Sequence, residues 1–173
     1  MKVLVVGGGG REHALIRKIK ESPKVTEIAC CPGNGGISYD AECYPVSATD
    51  IDGVVELAKQ IRADLVVVAP DDPLVMGMVD ALNQAGFKTF GPNARAAIIE
   101  GSKVFSKNLM LKYNIPTAEY KVFDNPADVI SYIKEKNELL KTVIKKVDYL
   151  KTEKCYGKKS NPENFELMIY TKF

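Results

Sequence analysis

A chain of 173 residues with 46% hydrophobic content can bury a core of its own, and a net charge of +2 is too small to argue for nucleic acid. No apolar run approaches the roughly 18 residues of a membrane span. Four cysteines, Cys30, Cys31, Cys43 and Cys155, lack C-x-x-C spacing, and the single His13 leaves too few ligands for zinc; no metal site is expected, and the thiols read as reduced and structural.

The chain opens on Lys2-Val3-Leu4-Val5-Val6 directly after Met1, which reads as a core strand instead of a signal peptide and makes the cytosol the expected compartment. Four glycines follow, Gly7 to Gly10, and then a helical stretch from Arg11 to Glu21 that keeps Ala14, Leu15 and Ile19 on one face. Glycine tolerates positive φ and lets the backbone approach a ligand, while the next helix aims unpaired N–H donors at the same place. The junction therefore reads as an anion cradle for a phosphate or carboxylate. A plain tight turn is the alternative, although such a turn rarely needs four glycines.

Further strands are expected at Val25 to Cys30, Leu65 to Ala69 and Lys88 to Phe90. Helices are expected at Ile51 to Arg62, behind a capping Asp50, and at Leu74 to Ala85. This alternation predicts an α/β fold, a Rossmann-like parallel sheet with helices on both faces, whose ligands sit in the loops at the strands' carboxyl ends. Three more such loops are distinctive: Pro32-Gly33-Asn34-Gly35-Gly36, Pro70-Asp71-Asp72-Pro73-Leu74 and Gly91-Pro92-Asn93. A carboxylate at Asp71 can accept from ribose hydroxyls, with turn and capping chemistry as the plainer use of Asp71 and Asp72.

A dinucleotide is disfavoured. The G-x-G-x-x-G fingerprint needs a third glycine where this chain has Glu12 or His13, and no acid follows the second strand to take a ribose hydroxyl. A P-loop is excluded because Arg11-Glu12 follows Gly10.

These segments, together with Phe90-Gly91-Pro92, Glu100-Gly101-Ser102-Lys103, Phe105-Ser106-Lys107 and Ile115-Pro116-Thr117-Ala118, resemble the phosphoribosylamine–glycine ligase (glycinamide ribonucleotide synthetase) family. The resemblance runs from Met1 to about Lys145; Asp71 stands where the family commonly carries glutamate. It implies an N-terminal phosphoribosylamine-binding domain at 1–100 and a linker helix with the start of an ATP-grasp domain at 101–145. By resemblance the substrate-binding residues are Gly8, Gly9, Gly10, Arg11, Glu12, Asn34, Gly35, Asp71, Asp72 and Pro73. Lys103 and Lys145 match lysines that approach ATP, although Lys103 and Lys107, four residues apart, also suit a solvated helix face. The resemblance further implies that ATP, with magnesium, activates the glycine carboxylate and that the amine of phosphoribosylamine attacks the acyl phosphate.

Beyond Lys145 the family pattern of a glycine-rich ATP loop and a metal-binding body is not met. The chain continues as a lysine-rich tail, 146–173, in which Phe165, Leu167, Ile169 and Phe173 suit a half-buried strand. The expectation is thus an N-terminal part, truncated or divergent, with an incomplete ATP-grasp domain. It would bind ribose phosphate, hold neither ATP nor magnesium tightly, lack catalytic residues and have no activity alone. A non-catalytic ribose-phosphate-binding or assembly module is the alternative. No membrane or nucleic-acid partner is expected, and oligomeric state is not legible.

Overall fold

Strand β1, Lys2–Gly7, is apolar along its length because both of its faces are covered. Leu4 and Val6 enter one hydrophobic cluster, Val3 and Val5 the other, and all four are at most 1% exposed. Each such burial stabilises by about 1.5–3 kcal/mol. This is a computed structural model describing residues 1–118, 120–136 and 167–170.

Around β1 lie β2 (Glu27–Pro32) and β4 (Leu65–Val68), with β3 (Glu42–Cys43) and β5 (Thr89–Phe90) at the edges, all parallel in the order β3-β2-β1-β4-β5. Helix α1 (Gly10–Lys20) covers the Val3 and Val5 face through Ile16. The opposite face receives α2 (Ile51–Ile61), α3 (Asp71–Val75), α4 (Met78–Gln84) and α5 (Ala94–Gly101) through Val54, Leu57, Leu74, Met78, Leu82 and Ala97. The parallel sheet with helices on both faces is the expected architecture. Its strand order reverses direction between β1 and β4, and at such a switch point a crevice opens outside the strands' carboxyl ends.

Two elements differ from expectation. The second strand is Glu27–Pro32, not Val25 to Cys30, because its register on β1 pairs Lys2 with Glu27 and Gly7 with Pro32. The helix expected from Leu74 to Ala85 starts earlier and is broken in two: Gly77 adopts φ +92°, and the N–H groups of Met76 and Gly77 close α3 onto Asp72 O and Leu74 O. Asp50 caps α2 as expected, its Oδ1 accepting from Gly53 N–H at 3.0 Å.

The chain divides into two units, Met1–Ser106 and Lys107–Phe173, with the division inside α6 (Lys103–Lys112). In the second, β6 (Tyr120–Phe123) and β7 (Leu167–Tyr170) pair antiparallel, from Tyr120↔Tyr170 to Phe123↔Leu167. Of the alternating pattern expected in the tail, Leu167 and Ile169 lie in β7, and Phe165 and Phe173 lie outside the described residues. Helix α7 (Pro126–Lys136) buries Val129 and Ile133, and the Phe123 and Tyr132 rings lie 5.2 Å apart. No described helix is long and apolar enough to cross a membrane.

Candidate functional site

Gly7 ends β1 at φ +128°, and a Cβ there would stand 2.6 Å from Glu12 Cγ and 2.9 Å from Pro70 Cγ, so both angle and space require glycine. Gly9 is the N-cap of α1, and the first bond of the helix runs from His13 N–H to Gly9 O at 3.1 Å. The amides of Gly10, Arg11 and Glu12 consequently have no acceptor four residues back. One amide of the turn is already taken: the Glu12 carboxylate, 4% exposed, accepts from Gly9 N–H at 2.6 Å. Glu12, expected at the substrate, is therefore bonded to the backbone of its own turn. The open side of the cradle is at Gly10 and Arg11, both exposed, and nothing lies within 4 Å of where a Gly10 Cβ would stand.

The loop after β2 closes on this turn. Asn34 Nδ2 donates to Gly8 O at 2.8 Å, while its Oδ1 accepts from the N–H groups of Gly36 and Ile37 at 2.7 and 2.9 Å. A Cβ on Gly8 would lie 2.6 Å from Gly33 O, so the two turns are packed backbone to backbone. Asn34 is a clamp between them, and Gly35 stands exposed at the loop tip.

On the other side of the switch point, Pro70 is the N-cap of α3, which places Asp71 and Asp72 in its first turn, both exposed, with Pro73 buried behind them. A cavity of about 200 Å³ opens here, with Ala69, Leu74, Pro92 and Ala97 as apolar walls and Arg11, Asp71 and Glu100 as charged groups. It is smaller than the roughly 300–1,000 Å³ of most ligand pockets and suits one sugar more than a dinucleotide. Asp71 and Arg11 were expected here; Glu100 was not, and its only signal was its place in the Glu-Gly-Ser-Lys string. Asp72 lies outside the cavity lining.

A further group was missed. His13 Nε2 is 3.0 Å from Asp40 Oδ2, and Asp40 Oδ1 accepts from Lys20 Nζ at 3.0 Å. The bond from His13, and then that from Lys20, hold the Asp40 carboxyl below the usual carboxylate range.

Lys103 and Lys145 were expected near ATP, and Lys103 and Lys107 alternatively on one solvated face. Lys103 is exposed at the start of α6. Lys107, for which a solvated face was the alternative, is 7% exposed; its Nζ donates to Thr117 Oγ1 at 2.5 Å and Ala118 O at 3.2 Å and lies 5.3 Å from the Tyr120 ring centroid. Lys145 lies outside the described residues. Among the described residues no cluster of His, Cys, Asp and Glu is placed to hold a metal ion.

Residues 1–100 match the family described as phosphoribosylglycinamide synthetase, N domain, and residues 101–161 match its ATP-grasp (A) domain. The chain belongs to the phosphoribosylglycinamide synthetase family. It is 49% identical over 135 residues to the phosphoribosylamine–glycine ligase of Caldanaerobacter subterraneus, a stretch covering 78% of this chain and 32% of that protein. Against the Streptomyces coelicolor enzyme of the same name the identity is 50%, over 75% of this chain and 31% of the relative. The chain thus spans about a third of the length of the curated relatives it matches. The crystal structure of phosphoribosylamine–glycine ligase from Thermotoga maritima superposes with a TM-score of 0.57 at 27% identity, over 78% of this chain and 30% of that one.

Proposed function

We propose that this chain is the phosphoribosylamine-binding part of an ATP-dependent ligase that joins glycine to 5-phosphoribosylamine in purine biosynthesis. Residues 1–100 hold the amine substrate, and 101–161, which match the ATP-grasp domain past the expected limit at about Lys145, open the ATP-binding body. One observation carries this reading: Arg11, in the first turn of α1, lines a sugar-sized cavity whose other charged groups are Asp71 and Glu100. The amides of Gly10 and Arg11, with the guanidinium, take the phosphate; Asp71 accepts from ribose hydroxyls; Asn34 keeps Gly8 and Gly35 in place; Glu12 fixes Gly9, and Pro73 and Asp72 shape the start of α3.

When bound to the larger body, ATP supplies the phosphoryl group that activates the glycine carboxylate, and Lys103 and Lys145 are its proposed neighbours in this chain. We place ligation in an assembly longer than these 173 residues, since the matched stretch of 135 residues covers only 32% of a relative named for the reaction. Cys30, Cys31 and Cys43 are all free thiols, which supports a cytoplasmic setting.

Titration calorimetry of the purified chain tests this. Ribose 5-phosphate is expected to bind and NAD is not. Gly10→Val, whose side chain enters open space, is expected to keep the fold and lose at least about tenfold in affinity, roughly one charge-assisted hydrogen bond. Binding of NAD without ribose 5-phosphate overturns the reading, and formation of glycinamide ribonucleotide by the chain alone overturns the placement of ligation.

A further inference from the structure

Three charged side chains, Arg11, Asp71 and Glu100, line the cavity at the switch point between apolar walls. Among the described residues none of the three makes a side-chain hydrogen bond or an ion pair, with one another or with any neighbour. The lining thus carries one cation and two anions, and a phosphate held at Arg11 brings more negative charge. A ligand with a cationic group of its own matches this lining better than one that is anionic throughout. Among the described residues no third metal-ligating side chain joins the two carboxylates.

The two carboxylates are not equivalent. Asp71 stands in the first turn of α3, where helix amides offset part of its charge. Glu100 stands in the last turn of α5, at the negative end of the helix, and no basic side chain of that turn neutralises it. Of the lining groups, Arg11 is therefore the strongest attraction for an anion and Glu100 the strongest for a cation.

We infer that Glu100 is a specificity-determining residue of this site: its carboxylate accepts from the C1 amine of a pentosylamine 5-phosphate and selects that amine over the C1 hydroxyl of ribose 5-phosphate. The inference rests on the phosphoribosylamine reading above and adds to it the group that tells the amine from the sugar. A glycosylamine reacts with water to give the free sugar and ammonia, so the two compounds compete for one site. Their phosphate and ribose contacts are common, and only the group at C1 differs. An ammonium offers three donors and a positive charge, a hydroxyl one donor and no charge, and a carboxylate forms the stronger bond with the first.

A stable pair of ligands isolates that difference: 1-amino-1-deoxyribitol 5-phosphate and ribitol 5-phosphate, alike except for ammonium against hydroxyl at C1. The full-length chain is titrated with each by calorimetry near neutral pH, native against Glu100→Gln, which keeps the shape and an acceptor without the charge. Glu100 is exposed, the fold is checked by circular dichroism, and Glu100→Ala is the substitute if the Gln variant unfolds. The native chain is expected to bind the amino compound about tenfold more tightly than ribitol 5-phosphate. In Glu100→Gln the two are expected to bind within about twofold of each other, with ribitol 5-phosphate within about twofold of its native affinity. Asp71→Asn is expected to weaken both compounds alike and keep the preference. Native binding of ribose 5-phosphate without a preference for the amino compound, or a preference that survives in Glu100→Gln, overturns the inference alone. A native chain that binds neither ribose 5-phosphate nor either ribitol compound overturns the site reading and this inference with it.

Discussion

Two glycine-rich turns face each other at the carboxyl edge of the sheet, and they use glycine differently. In the β1–α1 turn, glycine removes side chains from the backbone: Gly10 has free space before it, and the Gly9 amide is taken by Glu12. In the loop after β2, glycine lets the chain fold onto an internal acceptor, and the amides of Gly36 and Ile37 go to Asn34. An anion cradle is thus defined less by how many glycines a loop has than by whether a nearby side-chain oxygen already occupies their donors.

The largest expected effect contrasts two positions within the first turn. Gly7→Ala meets a backbone angle of +128° and a Cβ position 2.6 Å from Glu12 Cγ, and strain and overpacking together are expected to cost about 3 kcal/mol in urea unfolding. Gly10→Ala, in open space and at the first position of α1, is expected to gain about 0.5–1 kcal/mol by restricting the unfolded chain. Equal losses at the two positions would show that the turn is uniformly tight and remove the basis for an open side at Gly10.

Next in size is the clamp itself. Asn34→Ala removes the donor to Gly8 O and the acceptor for two amides, but the side chain is exposed and water replaces part of the loss. A cost of about 1–2 kcal/mol is expected, with weaker ribose 5-phosphate binding as the second loop loses its hold on the first. A variant with native stability and affinity would mean that the backbone packing of Gly8 on Gly33 alone joins the turns.

The central architecture was legible because its signals are local. Val3 to Val6 read as a strand buried on both faces, the alternation of strands and helices gave the parallel sheet, and Asp50 announced the start of α2. What stayed hidden depends on partners distant in sequence. β3 is two residues long and shows no period; its place is set by pairing with Ala29 and Cys30. Lys107 is spaced from Lys103 like a solvated pair, yet Thr117 and Ala118, about ten residues on, accept from its ammonium. At the site, Glu12 matched its family string, yet its bond to Gly9 N–H is a fact of the helix start. The pairing of His13 with Asp40 spans 27 residues and had no motif to mark it.

The smallest effect at neutral pH separates the thiols beneath the two turns. Cys30 is fully buried and its S–H donates to Gly7 O at 3.2 Å, under the first turn; Cys43 is half-buried and lies against Gly33, under the second. Burial, with smaller contributions from the neighbouring Cys31 and Cys43, pushes the Cys30 thiol up to about 12, and burial pushes Cys31 to about 12 as well, from an ordinary 9.0. A raised thiol value means that the fold favours the protonated form. Its contribution is complete below the unfolded value near 9, and it is lost as pH rises toward about 12, when the unfolded chain ionises first. Stability should therefore be flat in these groups through neutrality and decline above about pH 9. Alkylation at mild pH followed by peptide mapping should label Cys43 well before Cys30 or Cys31, since only the exposed thiolate reacts. Labelling of Cys30 as fast as Cys43 would show the first turn opening as readily as the second, and the rigid cradle beneath the proposed phosphate site would lose its support.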